Sequence, residues 1–309
     1  MISVIMLTYN REQLVGRAIE SILNQTYRDF EFIIVDNGST DNSGTIAEHY
    51  AKQDERIRVV HIPKSNIGTG RNVGLDMAQG EYITFIDDDD WCESDFLEFL
   101  YETIVLNHAD ISICASYKED MQEKSFVGKP NETLLMNAEE AIITLMWRKY
   151  YNTGFPTKFF KADLFKDIRF SEKEKYEDIS LMYKVLAKAE KIVYCGIAKY
   201  HVYRHEGNNS AITTKDSLLS PEYLKDYRKF YRERTKWLCE QFPENTLYWW
   251  YFDWSFQLSM VRKIMVNNIQ GCDKHLEEMK QELKWSKEKL LNSPYIQEFE
   301  KKWIEDELV

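Results

Sequence analysis

The chain has 309 residues, 44% of them hydrophobic, and a formal net charge of −11. That is enough apolar material for one large domain, or a domain with an appendage, and the acidic balance argues against a dedicated nucleic-acid binder, which carries a basic excess. Five cysteines (Cys92, Cys114, Cys195, Cys239 and Cys272) stand singly, with no CxxC pair; this argues against a zinc ribbon or a disulfide frame and fits free thiols in a reducing cytoplasm.

The stretch MISVIMLTYNREQ lacks the basic start, long apolar run and small-residue cleavage site of a secretion signal, so a cytoplasmic protein is expected. ISVIML (2–7) is a continuous apolar run of strand length, and EQLVGRAIESILNQ (12–25) then spaces Leu14, Ala18, Ile22 and Leu23 along a helix face. EFIIVD (31–36) predicts a second strand, 42–53 a helix, IRVVHI (57–62) a third strand and 69–79 a helix. YITFID (82–87) predicts a fourth strand, 94–107 a helix and DISICAS (110–116) a fifth strand. Strands alternating with helices predict an α/β fold with a mainly parallel sheet covered on both faces. Beyond 132 the pattern loosens: helices over 137–151 and 173–189, an extended stretch over 191–205, then helices alone from about 220. We place the boundary between the α/β region and the helical region near 215. LYWWYFDWSFQLSMV (247–261) is shorter than the ~20 residues of a spanning helix and contains Asp253, so it reads as a buried helix.

In α/β sheets ligands bind beyond the carboxyl ends of the strands. Three of those ends are polar: Thr8, Tyr9 and Asn10; Asp36, Asn37, Gly38 and Ser39; and the four aspartates Asp87, Asp88, Asp89 and Asp90. Adjacent carboxylates repel unless a cation compensates them. The run is either a solvated acidic loop or a cation site. In an extended segment residues i and i+2 share a side, so Asp87 and Asp89 are expected to face one ligand together; their hard oxygens suit Mg²⁺ or Mn²⁺. GTGRNVG (68–74) has the spacing GxGxxxG and follows the third strand, which misses the dinucleotide fingerprint in both respects. It reads as a helix start with small residues, where free N–H groups and Arg71 offer a seat for an anion. In KYEDISLMYKV (175–185), Glu177 and Asp178 open an amphipathic helix, either as partners of its dipole or as a general base aimed into a cleft. In HVYRHEGNNSAI (201–212), His201 lies in an apolar run and reads as structural, whereas Arg204 and His205 at the strand's end suit phosphate and metal.

Taken together, ISVIMLTYNRE (2–12), VDNGSTDNS (35–43), NIGTGRNVGLDMAQGEYITFIDDDDW (66–91), YEDISL (176–181) and YRHEGNNSAI (203–212) resemble the family 2 glycosyltransferases of the GT-A fold, in that family's order. The resemblance covers roughly the first 215 residues. It implies an inverting, DxD-containing enzyme with a nucleotide-sugar donor, usually a UDP-sugar, a hexose or N-acetylhexosamine as the unit moved, and a divalent Mn²⁺ or Mg²⁺ cofactor. It implies a glycan or lipid-linked glycan acceptor in cell-surface polysaccharide synthesis. Thr8, Tyr9, Asn10 and Arg11 would form the first nucleotide loop, with Tyr9 near the uracil. Asp36 would accept a hydrogen bond from the base, with Asn37 and Gly38 close by, and Arg71 and Asn72 would lie near the nucleotide and diphosphate. Asp87 would face the ribose, with Asp88 as its neighbour in the variable position of the motif. Asp89 would hold the metal and Asp90 would lie near the donor sugar. Asp178 matches the catalytic base, with Glu177 as companion, and His205 or Arg204 would complete the diphosphate and metal site.

EYLKDYRKFYRERTKWL (222–238) carries six Lys or Arg against Glu222, Asp226 and Glu233. It reads either as a basic helix resting on an anionic membrane face or lipid diphosphate, or as a solvated face of a packed helix. The C-terminal helices are also candidates for homo-oligomer contacts. Two rival functions are weighed. A sugar-phosphate nucleotidyltransferase needs a glycine-rich loop after the first strand, where this chain has LTYNRE; a non-catalytic nucleotide-sugar-binding scaffold is expected to lose acids such as Asp87, Asp89 and Asp178, all present here.

Overall fold

The computed structural model describes residues 1–173, 176–205, 208 and 219–307. Contacts divide the chain into two compact units, Met1–His205 and Glu206–Val309. The position near 215, and most of the GNNSAI stretch of the last motif, lie outside the described residues.

In the first unit, strands and helices alternate as the apolar periodicity predicts: β1 (Ile2–Thr8), α1 (Val15–Leu23), β2 (Phe30–Asp36), α2 (Ser43–Ala51), β3 (Ile57–His61), α3 (Ile67–Met77), β4 (Tyr82–Asp87), β5 (Trp91–Cys92), α4 (Phe96–Leu106) and β6 (Ile111–Glu119). Then follow β7 (Lys124–Val127), β8 (Thr133–Met136), α5 (Ala138–Trp147), β9 (Lys158–Lys161), α6 (Glu177–Lys188) and β10 (Ile192–Tyr203). The sheet runs β3-β2-β1-β4-β9-β6-β10-β5, with β7 on β6 and β8 on β10. β3, β2, β1 and β4 are mutually parallel, as are β6 and β10. β9 enters between β4 and β6 antiparallel to both, and has no counterpart among the strands read from the sequence. Only four residues long, KFFK is too short to announce itself by periodicity.

β1 is buried on both faces, which is why ISVIML shows no alternation. Ile2, Val4 and Met6 join a core with Val15, Ala18, Ile19 and Ile22 of α1 and with Phe96, Leu97 and Leu100 of α4. On the other face α3 packs closely on the side chains of β1. A Cβ on Gly70 would sit 2.1 Å from Leu7 Cδ1, and one on Gly74 would sit 2.4 Å from Ile5 Cγ2. Gly70 and Gly74 are therefore needed for helix–sheet approach, and a Cβ on Gly68 would sit 2.1 Å from the Ser171 carbonyl oxygen. β1 and β2 pair Thr8 with Asp36, β2 and β3 pair Asp36 with His61, and β1 and β4 pair Leu7 with Asp87. This register brings the polar strand ends to one edge.

The second unit contains α7 (Pro221–Gln241), α8 (Thr246–Val266), α9 (Asp273–Leu291) and α10 (Glu298–Glu307). Ser220 caps α7, its side chain accepting from the Tyr223 N–H, with Pro221 in the first turn. Trp249, Tyr251 and Leu258 of α8 are buried, as are Leu224, Leu238, Met279, Leu283 and Ile304 on the other helices. The Trp-rich stretch is thus core. The basic stripe of α7 is only partly available to a membrane: Arg228 donates to Glu278, Arg232 donates to Asp253 and Glu282, and Arg234 is buried. Among the described residues no helix is long and apolar enough to cross a membrane.

Candidate active site

The acidic run does not continue β4. The strand ends at Asp87, and Asp88 and Asp89 form a turn closed by the Asp90 N–H donating to the Asp87 carbonyl at 3.2 Å. Alternation along an extended strand therefore fails here, and the four carboxylates point to different partners. Asp87 Oδ1 accepts from Arg71 at 3.3 Å. Asp88 Oδ2 accepts from the Tyr9 N–H at 3.1 Å, and its Oδ1 lies 3.8 Å from Arg11. Asp89 Oδ2 lies 3.0 Å from His205 Nε2 and 3.8 Å from Arg11. Asp90 is 3% exposed and accepts from the Tyr203 N–H at 2.8 Å, so it fastens β10 to the turn.

Burial, and then the neighbouring acid Asp89, push the Asp88 carboxyl up to about 7. Burial raises Asp87 and Asp90 too, with like charges adding to it. The turn thus gathers carboxyls whose charged forms burial disfavours.

The first two strand ends are cross-stitched around it. The Asn10 N–H donates to Ser39 Oγ, the Arg11 N–H donates to Ser43 Oγ, and Asn10 Oδ1 accepts from the Thr40 N–H. Asn10 adopts φ 51°, a left-handed backbone that suits asparagine. Buried Asp36 accepts from the Ser39 N–H at 3.1 Å and meets His61 Nδ1 at 2.8 Å. Asn37 ties this end to Ser65, and Lys64 lies over the Tyr9 ring. His61, Lys64 and Ser65 were not singled out in the sequence; each serves through a contact that only the folded register creates. Asn72, expected near the nucleotide and diphosphate, donates its amide to the Phe170 carbonyl at 3.0 Å and accepts from the Phe170 N–H at 2.9 Å. Both of its ends are spent on holding the segment before α6.

Arg71 links this edge to the other half of the site. Its guanidinium donates 2.7 Å to Glu177 and 3.3 Å to Asp87, among the rings of Phe85, Phe155 and Phe170. Burial works against its charge, but Glu177, Asp87 and Asp178 raise its pKa on balance. Glu177 is buried and pushed up to about 7 by burial, against the pull of Arg71. Asp178 next to it is partly exposed. Its Oδ1 accepts from the Ile179 N–H at 2.8 Å and its Oδ2 accepts from Thr153 Oγ1 at 2.8 Å. A half-open carboxylate at a helix start, held by two donors, can face a hydroxyl and take its proton. His201 is structural, as its apolar setting predicts: it is buried, between Glu93 and Glu119. The backbone N–H of Arg204 donates to the Glu119 carbonyl.

Residues 3–169 match the family described as Glycosyl transferase family 2, more than half of the chain. The chain belongs to that family. It is 34% identical over 217 residues to Glycosyltransferase GlyG of Streptococcus pneumoniae, covering 67% of this chain and 72% of that one. It is 34% identical over 223 residues to EpsJ of Bacillus subtilis, an uncharacterized glycosyltransferase, covering 68% of this chain and 62% of that one. Against Glycosyltransferase GlyA of S. pneumoniae the match spans only 32% of the relative's length. The crystal structure of S. aureus TarS 1-349 in complex with UDP-GlcNAc superposes with a TM-score of 0.59 at 25% identity, over 75% of this chain and 66% of that one. The UDP complex gives 0.66 at 24% over 91% of this chain and 78% of that one, a likeness of fold. The GT-A architecture of this glycosyltransferase follows, and a nucleotidyltransferase is set aside. The family match ends before Asp178 and His205, so those two rest on geometry.

The residues fit a divalent cation in part. Asp89 and His205 converge to 3.0 Å with one oxygen and one nitrogen donor. Among the described residues no group of three His, Cys, Asp or Glu could hold a metal. The carboxylate is the donor that suits Mg²⁺ or Mn²⁺, which take their remaining oxygens from water and substrate phosphates, and the imidazole is the weaker part of the set. Asp87, engaged by Arg71, is the less direct of the expected metal pair.

Proposed function

We propose that this family 2 enzyme is an inverting, metal-dependent transferase that moves a hexosyl or N-acetylhexosaminyl unit from a UDP-sugar to an acceptor hydroxyl. The observation that carries the reading is the chain Asp87–Arg71–Glu177, which ties the acidic turn to the residue beside Asp178. Tyr9, Asn10, Arg11, Asp36, Asn37 and Gly38 would cradle the nucleoside, Asp87 and Asp88 its ribose side, and Asp89 with His205 the diphosphate's cation. A bound Mg²⁺ or Mn²⁺ supplies positive charge against the departing diphosphate.

Asp178 takes the proton of the acceptor hydroxyl as that oxygen attacks the anomeric carbon. The carbon–oxygen bond to the diphosphate breaks as the new glycosidic bond forms, and UDP leaves with the bonding pair. Attack from the face opposite the leaving group inverts the anomeric centre, so an α-linked donor gives a β-linked product. Arg71 holds Glu177 and Asp87 in place throughout.

TarS has been crystallised with UDP and with UDP-GlcNAc, which supports a uridine donor. A Campylobacter jejuni relative, 30% identical over 210 residues, is a GalNAc(5)-diNAcBac-PP-undecaprenol beta-1,3-glucosyltransferase, which supports a lipid-linked glycan as acceptor class and cell-surface glycan as product. A lipid-linked acceptor would bring the enzyme to the inner membrane face, with the helical unit the candidate for acceptor contacts. The test is a UDP-release screen of UDP-sugars with lipid-linked and free glycans, with and without EDTA, followed by assignment of the product anomer. Release restored by Mn²⁺ and a β-linked product from an α-linked donor are expected; EDTA-resistant transfer, or retention of configuration, contradicts the reading.

A further inference from the structure

Lys158 is fully buried in β9, at the centre of the sheet, and plays no part in the chemistry above. A buried lysine is costly unless its ammonium is engaged. Its Nζ donates to the Gly154 carbonyl at 2.5 Å and lies 5.7 Å from the Tyr151 ring centre. Burial pulls its pKa down to about 7, against the opposing pull of Cys114 and Asp178. The lysine is thus within electrostatic reach of the residue assigned as base.

The residue it grips is next to the one that touches that base. Thr153, immediately before Gly154, donates its hydroxyl to Asp178 Oδ2 at 2.8 Å. The loop has further anchors: the Gly154 N–H donates to Asn152 Oδ1, Tyr151 OH donates to the Ala141 carbonyl, and Phe155 is buried beside Arg71. None of these fixes the Gly154 carbonyl itself.

We propose that Lys158 is a positioning residue for the transfer reaction: it grips the Gly154 carbonyl from beneath and so sets the Thr153 hydroxyl that orients Asp178. This rests on the reading of Asp178 as base. A carboxylate held by the Ile179 N–H on one oxygen alone is free to rotate about its remaining bonds; the Thr153 hydroxyl fixes the second oxygen. Misplacement of a catalytic group by about 1 Å costs on the order of 100-fold in rate. Lys158→Met keeps the volume but leaves the Gly154 carbonyl without this donor, so its melting temperature is measured beside kcat and the kinetics are read where the variant is folded.

The experiment measures kcat and donor KM for sugar transfer in Lys158→Met, Thr153→Val, their double variant and Thr153→Ser, with Asp178→Asn alongside. Each of the first two is expected to lower kcat about 10- to 100-fold with donor KM unchanged. The double variant is expected to lose no more than the worse single one, because both act through one contact. Thr153→Ser, which keeps the hydroxyl, is expected to hold kcat near wild type. Wild-type kcat in Lys158→Met, multiplicative losses in the double variant, or a loss that appears in donor KM overturns the proposal. If Lys158→Met does not fold, Thr153→Val against Thr153→Ser decides: equal kcat in the two overturns it. If Asp178→Asn retains transfer, the assignment of the base has failed. If Asp178→Asn is inactive while the other variants are not, the roles of Lys158 and Thr153 have failed and the assignment of the base stands.

Discussion

The acidic turn of the first unit and the charged network of the helical unit use the same side-chain types to opposite effect. In the helical unit Arg228 and Arg232 meet Glu278, Glu282 and Asp253 at 2.5 to 3.0 Å. Each charge there has a countercharge: the Arg228 hydrogen bond lowers the Glu278 pKa, and Asp253 with Glu282 raises that of Arg232 against its burial. At the turn and at the start of α6, burial pushes Asp88 and Glu177 up to about 7, with the neighbouring acids Asp89 and Asp178 adding to it. Charges answered by countercharges mark structure; buried carboxyls with perturbed pKa values gathered in one place mark a candidate functional site.

The largest expected effect that sharpens this contrast is at Asp178. Asp178→Asn should lower transfer by at least about 10³-fold while UDP affinity stays within about twofold, because the base's contribution appears only in the transition state. Kinetics combined with UDP titration check it. Arg232→Met tests the other side. It leaves Asp253 buried without its cation and should cost about 3 kcal/mol of stability, with kcat unchanged at temperatures where the variant is folded. A loss of kcat without a loss of stability would reverse the roles given to the two regions.

The smallest effect is in pH dependence. Glu177 has a folded pKa raised from 4.5 to about 7, so fold stability from this group is fully present below about pH 4.5 and is lost as pH rises through about 7. Glu278 has a lowered pKa, so its contribution is present above 4.5 and is lost as pH falls through its folded value. Glu177→Gln should therefore flatten the decline in melting temperature between pH 5 and pH 7.5, an effect of about 1 to 3 kcal/mol. Glu278→Gln should change only the acid side. Thermal melts across pH report both.

Much of this was legible before folding. The alternation of apolar runs gave β1 to β4 and their helices because strands buried on both faces and amphipathic helices leave distinct periods. The polar strand ends are visible because they interrupt those runs. What escaped depended on three dimensions. β9 is short, and its burial comes from neighbours far along the chain. Asp90 and Asn72 look like their polar neighbours in sequence; only the turn after Asp87 and the return of Phe170 show the hydrogen bonds they give to the fold. Nothing in the sequence marks Lys158 until β9 places it in the core with its ammonium on the Gly154 carbonyl.

The central claim, that Asp89 and its turn form a nucleotide and cation site, is tested most directly by calorimetric titration of the full chain with UDP, with Mn²⁺ and with EDTA, beside Asp89→Asn. The account predicts UDP binding at least about tenfold tighter with Mn²⁺, and loss of that gain in Asp89→Asn. Equal affinity with Mn²⁺ and with EDTA, or an undiminished gain in Asp89→Asn, would contradict it.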